Sequence, residues 1–153
     1  MSHGGEGWAV TGVCAAGKTT VARLLADVLG LQFVEGDAIR PPGDGPSVER
    51  YERLAAGVPG AVVEDVILGH WLTEFVSLAA PLRLVVLAPG LETVKARNAA
   101  RIKNGYRTHD PVELDAALRC DTPRLGLWID NSAQAPEETI AEILARADEA
   151  LVE

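Results

Sequence analysis

The stretch Gly12-Val13-Cys14-Ala15-Ala16-Gly17-Lys18-Thr19 decides the fold, because it matches G-x-x-x-x-G-K-[ST] at every fixed position. This pattern is typical of a P-loop, in which glycines let the backbone approach phosphate groups and successive N–H groups face the anion. Lys18 is expected to reach the β- and γ-phosphates and is predicted to be catalytic, and the Thr19 hydroxyl is expected to bind magnesium. The motif therefore predicts ATP and Mg²⁺ as cofactors. The predicted nucleotide-binding residues of this loop are Gly12, Val13, Cys14, Ala15, Ala16, Gly17, Lys18, Thr19 and Thr20.

The residues on either side of the motif provide the context that a P-loop requires. The apolar run Trp8-Ala9-Val10-Thr11 predicts a strand that ends at Gly12. Beyond Thr19, apolar residues recur with the spacing of one helix face, and Gly30 marks the end of that helix. These apolar residues are Val21, Leu24, Leu25, Val28 and Leu29. The order strand, loop, helix supports the motif.

The rest of the chain continues this alternation of short apolar runs and helical patterns, which is typical of a parallel sheet with crossover helices. Predicted strands cover residues 8–11, 31–34, 61–63, 84–87 and 125–129. Further predicted helices cover residues 47–56, 70–79, 91–104 and 111–120, and a last helix begins at 136. No repeat or long linker divides the sequence. We therefore predict a single three-layer α/β/α domain over residues 1–153.

Composition limits the classes of partner. The chain of 153 residues is 48% hydrophobic and 24% charged, and its formal net charge is −8. An acidic surface disfavours nucleic acid and anionic membranes, since both present negative charge. No apolar run approaches the roughly 20 residues of a membrane-spanning helix. We expect a cytoplasmic monomer or homodimer that binds a small molecule, with no nucleic-acid or membrane partner.

A P-loop indicates nucleotide binding but does not specify the reaction, so the acidic residues after the next strands matter. Asp37 follows the second predicted strand, where a carboxylate can accept the proton of an acceptor hydroxyl. We predict that it is catalytic and binds substrate; the alternative is an aspartate that caps a turn. Arg40 is predicted to bind the acceptor, although a solvated surface arginine has the same sequence signal. Of Glu64 and Asp65, which end the third strand, Asp65 is the predicted magnesium residue, but the strand register leaves this choice open.

The only basic cluster of the sequence begins in the helix after the fourth strand. Arg97 and Arg101 are four residues apart and therefore lie on one helix face. Arginines in a lid can stabilise the charge of a transferring phosphoryl group, so both are predicted to bind nucleotide and Arg101 to be catalytic. We predict a lid over residues 97–110 and an acceptor-side segment over 37–60; the alternative for the cluster is an ordinary exposed helix face.

On these residues the sequence resembles the P-loop kinases related to chloramphenicol phosphotransferase, gluconate kinase and polynucleotide kinase. Besides the P-loop, Phe33-Val34-Glu35-Gly36-Asp37 is similar to the gluconate-kinase stretch that ends in Gly-Asp. Asp37-Ala38-Ile39-Arg40 is similar to the Asp-x-x-Arg of polynucleotide kinases, in which the Asp activates the acceptor hydroxyl. The resemblance implies a five-stranded parallel sheet of order 2-3-1-4-5, with ATP at the carboxyl ends of the strands.

Three functions remain open at this point. The first is a kinase that phosphorylates a hydroxyl of a small molecule, and it is the reading that we favour. The second is a nucleoside or polynucleotide 5′-hydroxyl kinase, which the Asp37-x-x-Arg40 spacing favours and the net charge disfavours. The third is an NTP-binding regulatory module with weak ATPase activity, against which stands the placement of Asp37.

Overall fold

A sheet of five parallel strands and one short antiparallel strand forms the centre of the computed structural model, which describes residues 7–13, 16–43, 45–102 and 110–153. The strands are β1 (Trp8–Gly12), β2 (Gln32–Glu35), β3 (Ala61–Asp65), β4 (Leu82–Leu87), β5 (Leu127–Ile129) and β6 (Leu151–Val152). The parallel strands lie in the order β2-β3-β1-β4-β5, and β6 pairs antiparallel with the start of β4. The predicted α/β fold and its strand order 2-3-1-4-5 are confirmed.

Helices connect the strands. They are α1 (Lys18–Leu29), α2 (Gly36–Ile39), α3 (Val48–Ala56), α4 (His70–Ala79), α5 (Leu91–Ile102), α6 (Pro111–Ala116), α7 (Pro136–Ala145) and α8 (Ala147–Ala150). A π-helical turn, Ala117–Asp121, continues α6. Helix α1 packs on β1 and β3 and against α7, while α3 packs against α4. The apolar face predicted for α1 is the face that packs, since Val21 and Leu25 are buried in the core.

Capping signals in the sequence fix where two of these helices begin. The Ser47 hydroxyl accepts a hydrogen bond from the Arg50 N–H at 3.1 Å, and α3 starts directly after it. The Asp110 carboxylate likewise accepts from the Val112 N–H at 2.8 Å at the start of α6. Such caps satisfy N–H groups that have no partner within the helix. The cap at Ser47 therefore places Arg50 in the first turn of α3.

The structure also contains short elements that the sequence analysis did not predict, namely α2, α8 and β6. Helix α2 begins at Gly36, immediately after β2, so Asp37, which is predicted to be catalytic, lies in a helical turn. The predicted end of the helix at residue 104 lies outside the described residues. Within the described ranges, no helix is long and apolar enough to cross a membrane. The single-domain assignment stays a prediction.

Gly126 and Gly30 form a matched pair for testing the packing between β4 and β5. Both have positive φ, 75° and 69°, so alanine at either position costs on the order of 1–2 kcal/mol in backbone strain. A Cβ on Gly126 would lie 2.5 Å from the Leu84 carbonyl oxygen, whereas at Gly30 no described atom lies within 4 Å. Gly126→Ala should lower the free energy of unfolding by about 1–3 kcal/mol more than Gly30→Ala. Urea unfolding measures both losses, and equal losses would contradict this packing.

Candidate nucleotide and acceptor site

The carboxyl ends of β1, β2 and β3 meet at one edge of the sheet, and the predicted site residues follow these ends. Thr11 in β1 lies opposite Asp65 in β3, and Glu35 in β2 lies opposite Glu64 in β3. Neighbouring strands are about 4.8 Å apart, so only the width of β3 separates the end of β1 from the end of β2. The P-loop after β1 and Asp37 after β2 therefore lie at the same edge.

The described part of the P-loop leads directly into the first turn of α1. Gly17 precedes the helix in a left-handed conformation, with φ 88° and ψ 16°. The Lys18 Nζ donates a hydrogen bond to the Val13 carbonyl at 3.5 Å, so the side chain folds back over the loop. Lys18 and Thr19 are half-buried, and Thr20 is exposed. Of the other predicted loop residues, Gly12, Val13 and Ala16 are buried, while Cys14 and Ala15 lie outside the described residues.

A cavity of about 410 Å³ lies beside the P-loop. It is lined by Gly17, Thr20, Arg97, Asn131, Gln134 and Thr139. Asn131 is buried, and its Nδ2 donates to the Ala16 carbonyl at 3.0 Å, which ties the segment after β5 to the P-loop. Its Oδ1 has no hydrogen-bond partner among the described residues. Ligand pockets measure about 300–1,000 Å³, so the cavity has room and polar groups for part of a nucleotide.

Of the two arginines predicted to belong to the lid, the side chain of Arg97 is described by the structure and that of Arg101 is not. Arg97 lies on α5, and its Nη1 is 3.8 Å from the position that a Cβ on Gly17 would take. Its guanidinium therefore lies against the P-loop, where a positive charge can contact phosphate. The Arg101 side chain and residues 103–109 lie outside the described part of the chain. The catalytic role of Arg101 and the lid over 97–110 stay predictions.

The predicted acceptor residues Asp37 and Arg40 lie side by side. The Asp37 carboxylate is 66% exposed, and its Oδ1 lies 3.8 Å from the Arg40 Nη1. A third residue, Arg50 of α3, brings its Nη2 to 3.6 Å from the same oxygen, and its side chain is only 11% exposed. No role was predicted for Arg50. The signal that could have found it is the Ser47 cap, which places Arg50 in the first turn of a helix within the predicted acceptor-side segment.

Asp65, the predicted magnesium residue, is already surrounded by protein donors. Its carboxylate accepts hydrogen bonds from the Arg50 Nε at 3.0 Å, from the Arg50 Nη2 and from the Val66 N–H at 2.8 Å. The side chain is 4% exposed. Burial lowers the pKa of Arg50, but the hydrogen bond and charge of Asp65 outweigh it and raise this pKa overall. A contact of Asp65 with magnesium stays a prediction, and it would compete with this ion pair.

Glu64, the neighbour of Asp65 on β3, has different surroundings. Adjacent strand residues point to opposite faces, so Glu64 is directed away from α2 and α3. Burial raises the pKa of Glu64 to about 7, while the nearby positive charge of Lys18 lowers it and the charges of Asp65, Glu35 and Asp37 raise it. The P-loop lysine and the acidic residues at the ends of β2 and β3 are therefore close enough to Glu64 to act on its ionisation.

Sequence comparison finds one local match of high identity. No protein-family model matches this sequence. The gluconokinase of Gluconobacter oxydans (strain 621H) is 41% identical over 63 residues, which are 41% of this chain and 30% of that relative. The match therefore spans less than a third of the relative's length.

Two solved structures align with nearly the whole chain. A sugar kinase from Janibacter sp. HTCC2649 aligns with a TM-score of 0.70 and 24% identity over 95% of this chain and 96% of that one. A gluconokinase from Sinorhizobium meliloti 1021 aligns with a TM-score of 0.68 and 24% identity over 93% and 91%. The chain has the fold of the P-loop kinases. Together with the local sequence match, these structures confirm the predicted resemblance to gluconate kinases.

The raised pKa of Glu64 predicts how stability depends on pH. Between the ordinary value of 4.5 and about 7, the folded protein keeps the proton and the unfolded chain loses it, so folding becomes less favourable as pH rises. Glu64→Gln removes this loss. The variant should gain up to about 3 kcal/mol relative to the parent between pH 4.5 and 7 and stay constant above. Urea unfolding across this pH range measures the difference, and a pH-independent difference would contradict the raised pKa.

Proposed function

We propose that this chain is a Mg²⁺- and ATP-dependent phosphotransferase that moves the γ-phosphoryl group to a hydroxyl of a small molecule. The observation that carries the proposal is that Lys18 of the P-loop after β1 and Asp37 after β2 lie at the same edge of the sheet, with only β3 between these two strands. A phosphate-binding lysine and an exposed carboxylate at the same sheet edge can serve the two substrates of one transfer. The P-loop kinase fold and the local similarity to a gluconokinase support this reaction class.

The donor groups around the P-loop fit magnesium and a nucleotide. Hydroxyl and carboxylate oxygens are ligands that magnesium prefers, and Thr19 and Glu64 supply one of each close to Lys18. Glu64 fits this role better than Asp65, because the Asp65 oxygens already accept from Arg50. The cavity beside Gly17 offers space for the rest of the nucleotide, and Thr20 and Gln134 contribute polar side chains to its lining.

Each residue then has a distinct task in the transfer. Lys18 and the N–H groups at the start of α1 bind the phosphates, and Arg97 adds positive charge beside Gly17. Magnesium, when bound, neutralises charge on the phosphate oxygens. Asp37 accepts the proton of the acceptor hydroxyl, so that its oxygen attacks the γ-phosphorus while the bond to the β–γ bridging oxygen breaks and ADP leaves. Arg40 binds and orients the acceptor next to Asp37.

Sugars and sugar acids are the first acceptors to test, because the similar proteins include a sugar kinase and two gluconokinases. A screen of magnesium-ATP with small alcohols, sugars and sugar acids should yield a phosphorylated product, detected by mass spectrometry. Lys18→Ala should lower its formation by about 10²–10³-fold without loss of fold by circular dichroism. Full activity of a folded Lys18→Ala variant would overturn the P-loop role.

Oligonucleotides with free 5′-hydroxyl ends belong in the same screen as a competing acceptor. The net charge of −8 opposes the several phosphate contacts on which nucleic-acid affinity depends. We therefore expect labelling of a small molecule and none of the oligonucleotides at low or moderate salt. Efficient labelling of the oligonucleotides at both salt concentrations would replace the small-molecule proposal with an end-kinase function.

Asp37→Asn tests the proposed base separately from nucleotide binding. The amide has the same shape but cannot take the proton, so the rate of acceptor phosphorylation should fall by about 10²–10⁴-fold. Affinity for magnesium-ATP, measured by calorimetry, should stay unchanged because the P-loop holds the nucleotide. Asp148→Asn is the matched control, since Asp148 is exposed on α8, next to β6 and the start of β4. Loss of ATP binding in Asp37→Asn would contradict the assignment.

A further inference from the structure

The Arg50 guanidinium lies between two carboxylates. One is the buried carboxylate of Asp65, and the other is the exposed carboxylate of Asp37, which is proposed as the base. The Arg50 Nε donates to the Asp65 Oδ2 at 3.0 Å, and its Nη2 donates to the Asp65 Oδ1. The same Nη2 lies 3.6 Å from the Asp37 Oδ1. Paired hydrogen bonds from one planar guanidinium fix both its position and its orientation. Arg50 therefore presents a fixed positive charge to Asp37.

The side of Arg50 that faces the core is held firmly. Asp65 is 4% exposed, and its Oδ1 also accepts the Val66 N–H at 2.8 Å. Tyr51, next to Arg50 on α3, is buried, and its hydroxyl donates to the Val66 carbonyl at 3.2 Å. The Tyr51 ring also packs against Trp71 of α4, with ring centroids 5.4 Å apart. The first turn of α3 is thus fixed to the end of β3 and to α4.

The backbone before Asp37 lies directly on the same buried carboxylate. A Cβ on Gly36 would lie 2.6 Å from the Asp65 Cγ and 2.7 Å from its Oδ2. Real Cβ atoms do not approach heavy atoms so closely, so only glycine lets α2 rest on Asp65. The Gly-Asp pair at the end of β2 therefore has a steric reason: the glycine contacts Asp65, and the aspartate after it meets Arg50.

We propose that Arg50 is a positioning residue, which takes its orientation from Asp65 and holds the Asp37 carboxylate in place for the acceptor hydroxyl. This inference rests on the proposed function. It assigns Asp65 to the acceptor side of the site, where it acts through Arg50. Arg40, which is 44% exposed and approaches Asp37 from the solvent side at 3.8 Å, is left to contact the acceptor.

Kinetics of Arg50 variants test the inference in the full chain. Arg50→Gln should lower kcat for acceptor phosphorylation by about 10²-fold, because small displacements of a reacting group cost this much. KM for ATP should not change comparably. Arg50→Lys should recover little, since an ammonium cannot form the paired hydrogen bonds. Added guanidinium ion should partly restore the rate of Arg50→Ala, which an effect on folding alone would not allow. Arg124→Gln, which removes the same charge from an exposed residue before β5, at the opposite edge of the sheet from Asp37, is the matched control.

Asp65→Asn distinguishes positioning from magnesium binding. If Asp65 acts through Arg50, Asp65→Asn should lower kcat as Arg50→Gln does, and the double variant should lose little more. The magnesium concentration for half-maximal rate should stay that of the parent. A raised magnesium requirement, or additive losses of kcat, would overturn the inference.

A measurement that needs no acceptor keeps the inference separate from the proposed function. The crystal structure of Arg50→Gln should show the Asp37 carboxylate displaced or in several conformations, while that of Arg124→Gln should match the parent. An unmoved, well-ordered Asp37 in Arg50→Gln would overturn the positioning role. If the parent phosphorylates no acceptor, the proposed function fails, and the position of Asp37 in these structures still decides whether Arg50 orients it.

Discussion

Strand β3 pairs in parallel with β1 on one side and with β2 on the other, and the rest of the site depends on this pairing. Because parallel strands end at the same edge, the P-loop and α2 emerge next to each other, with Glu64 and Asp65 between them. A shift of β3 by one residue would exchange the faces of these two carboxylates. The register therefore decides which of the two carboxylates forms the ion pair with Arg50.

This register places the two acidic residues Glu64 and Asp65 in different environments. Glu64 is buried, and this burial raises its pKa to about 7 despite the positive charge of Lys18. Asp65 is just as buried but forms an ion pair with Arg50. A buried ion pair costs desolvation, and the paired hydrogen bonds of the guanidinium offset that cost. The same strand end can thus serve a metal on one face and an acceptor base on the other.

The sequence predicted the fold because the P-loop and the alternating apolar runs are local patterns. The sequence also indicated Asp37 and Arg40 as acceptor residues, since both follow a strand that a short apolar run identifies. The structure places their side chains together, and their roles stay proposals. Arg50 and Asn131 were not indicated, because their roles come from contacts with Asp65 and Ala16, 15 and 115 residues away. The short helix α2 was missed because its stability comes from packing on Asp65 rather than from helical propensity.

The central claim is that Glu64 serves the metal while Asp65 holds Arg50. A crystal structure with magnesium and a non-hydrolysable ATP analogue tests this claim most directly. The account predicts that the metal lies between the phosphates and Thr19 on the face of Glu64, and that Asp65 keeps its two hydrogen bonds to Arg50. A metal bound to Asp65, with Arg50 released from it, would contradict the account.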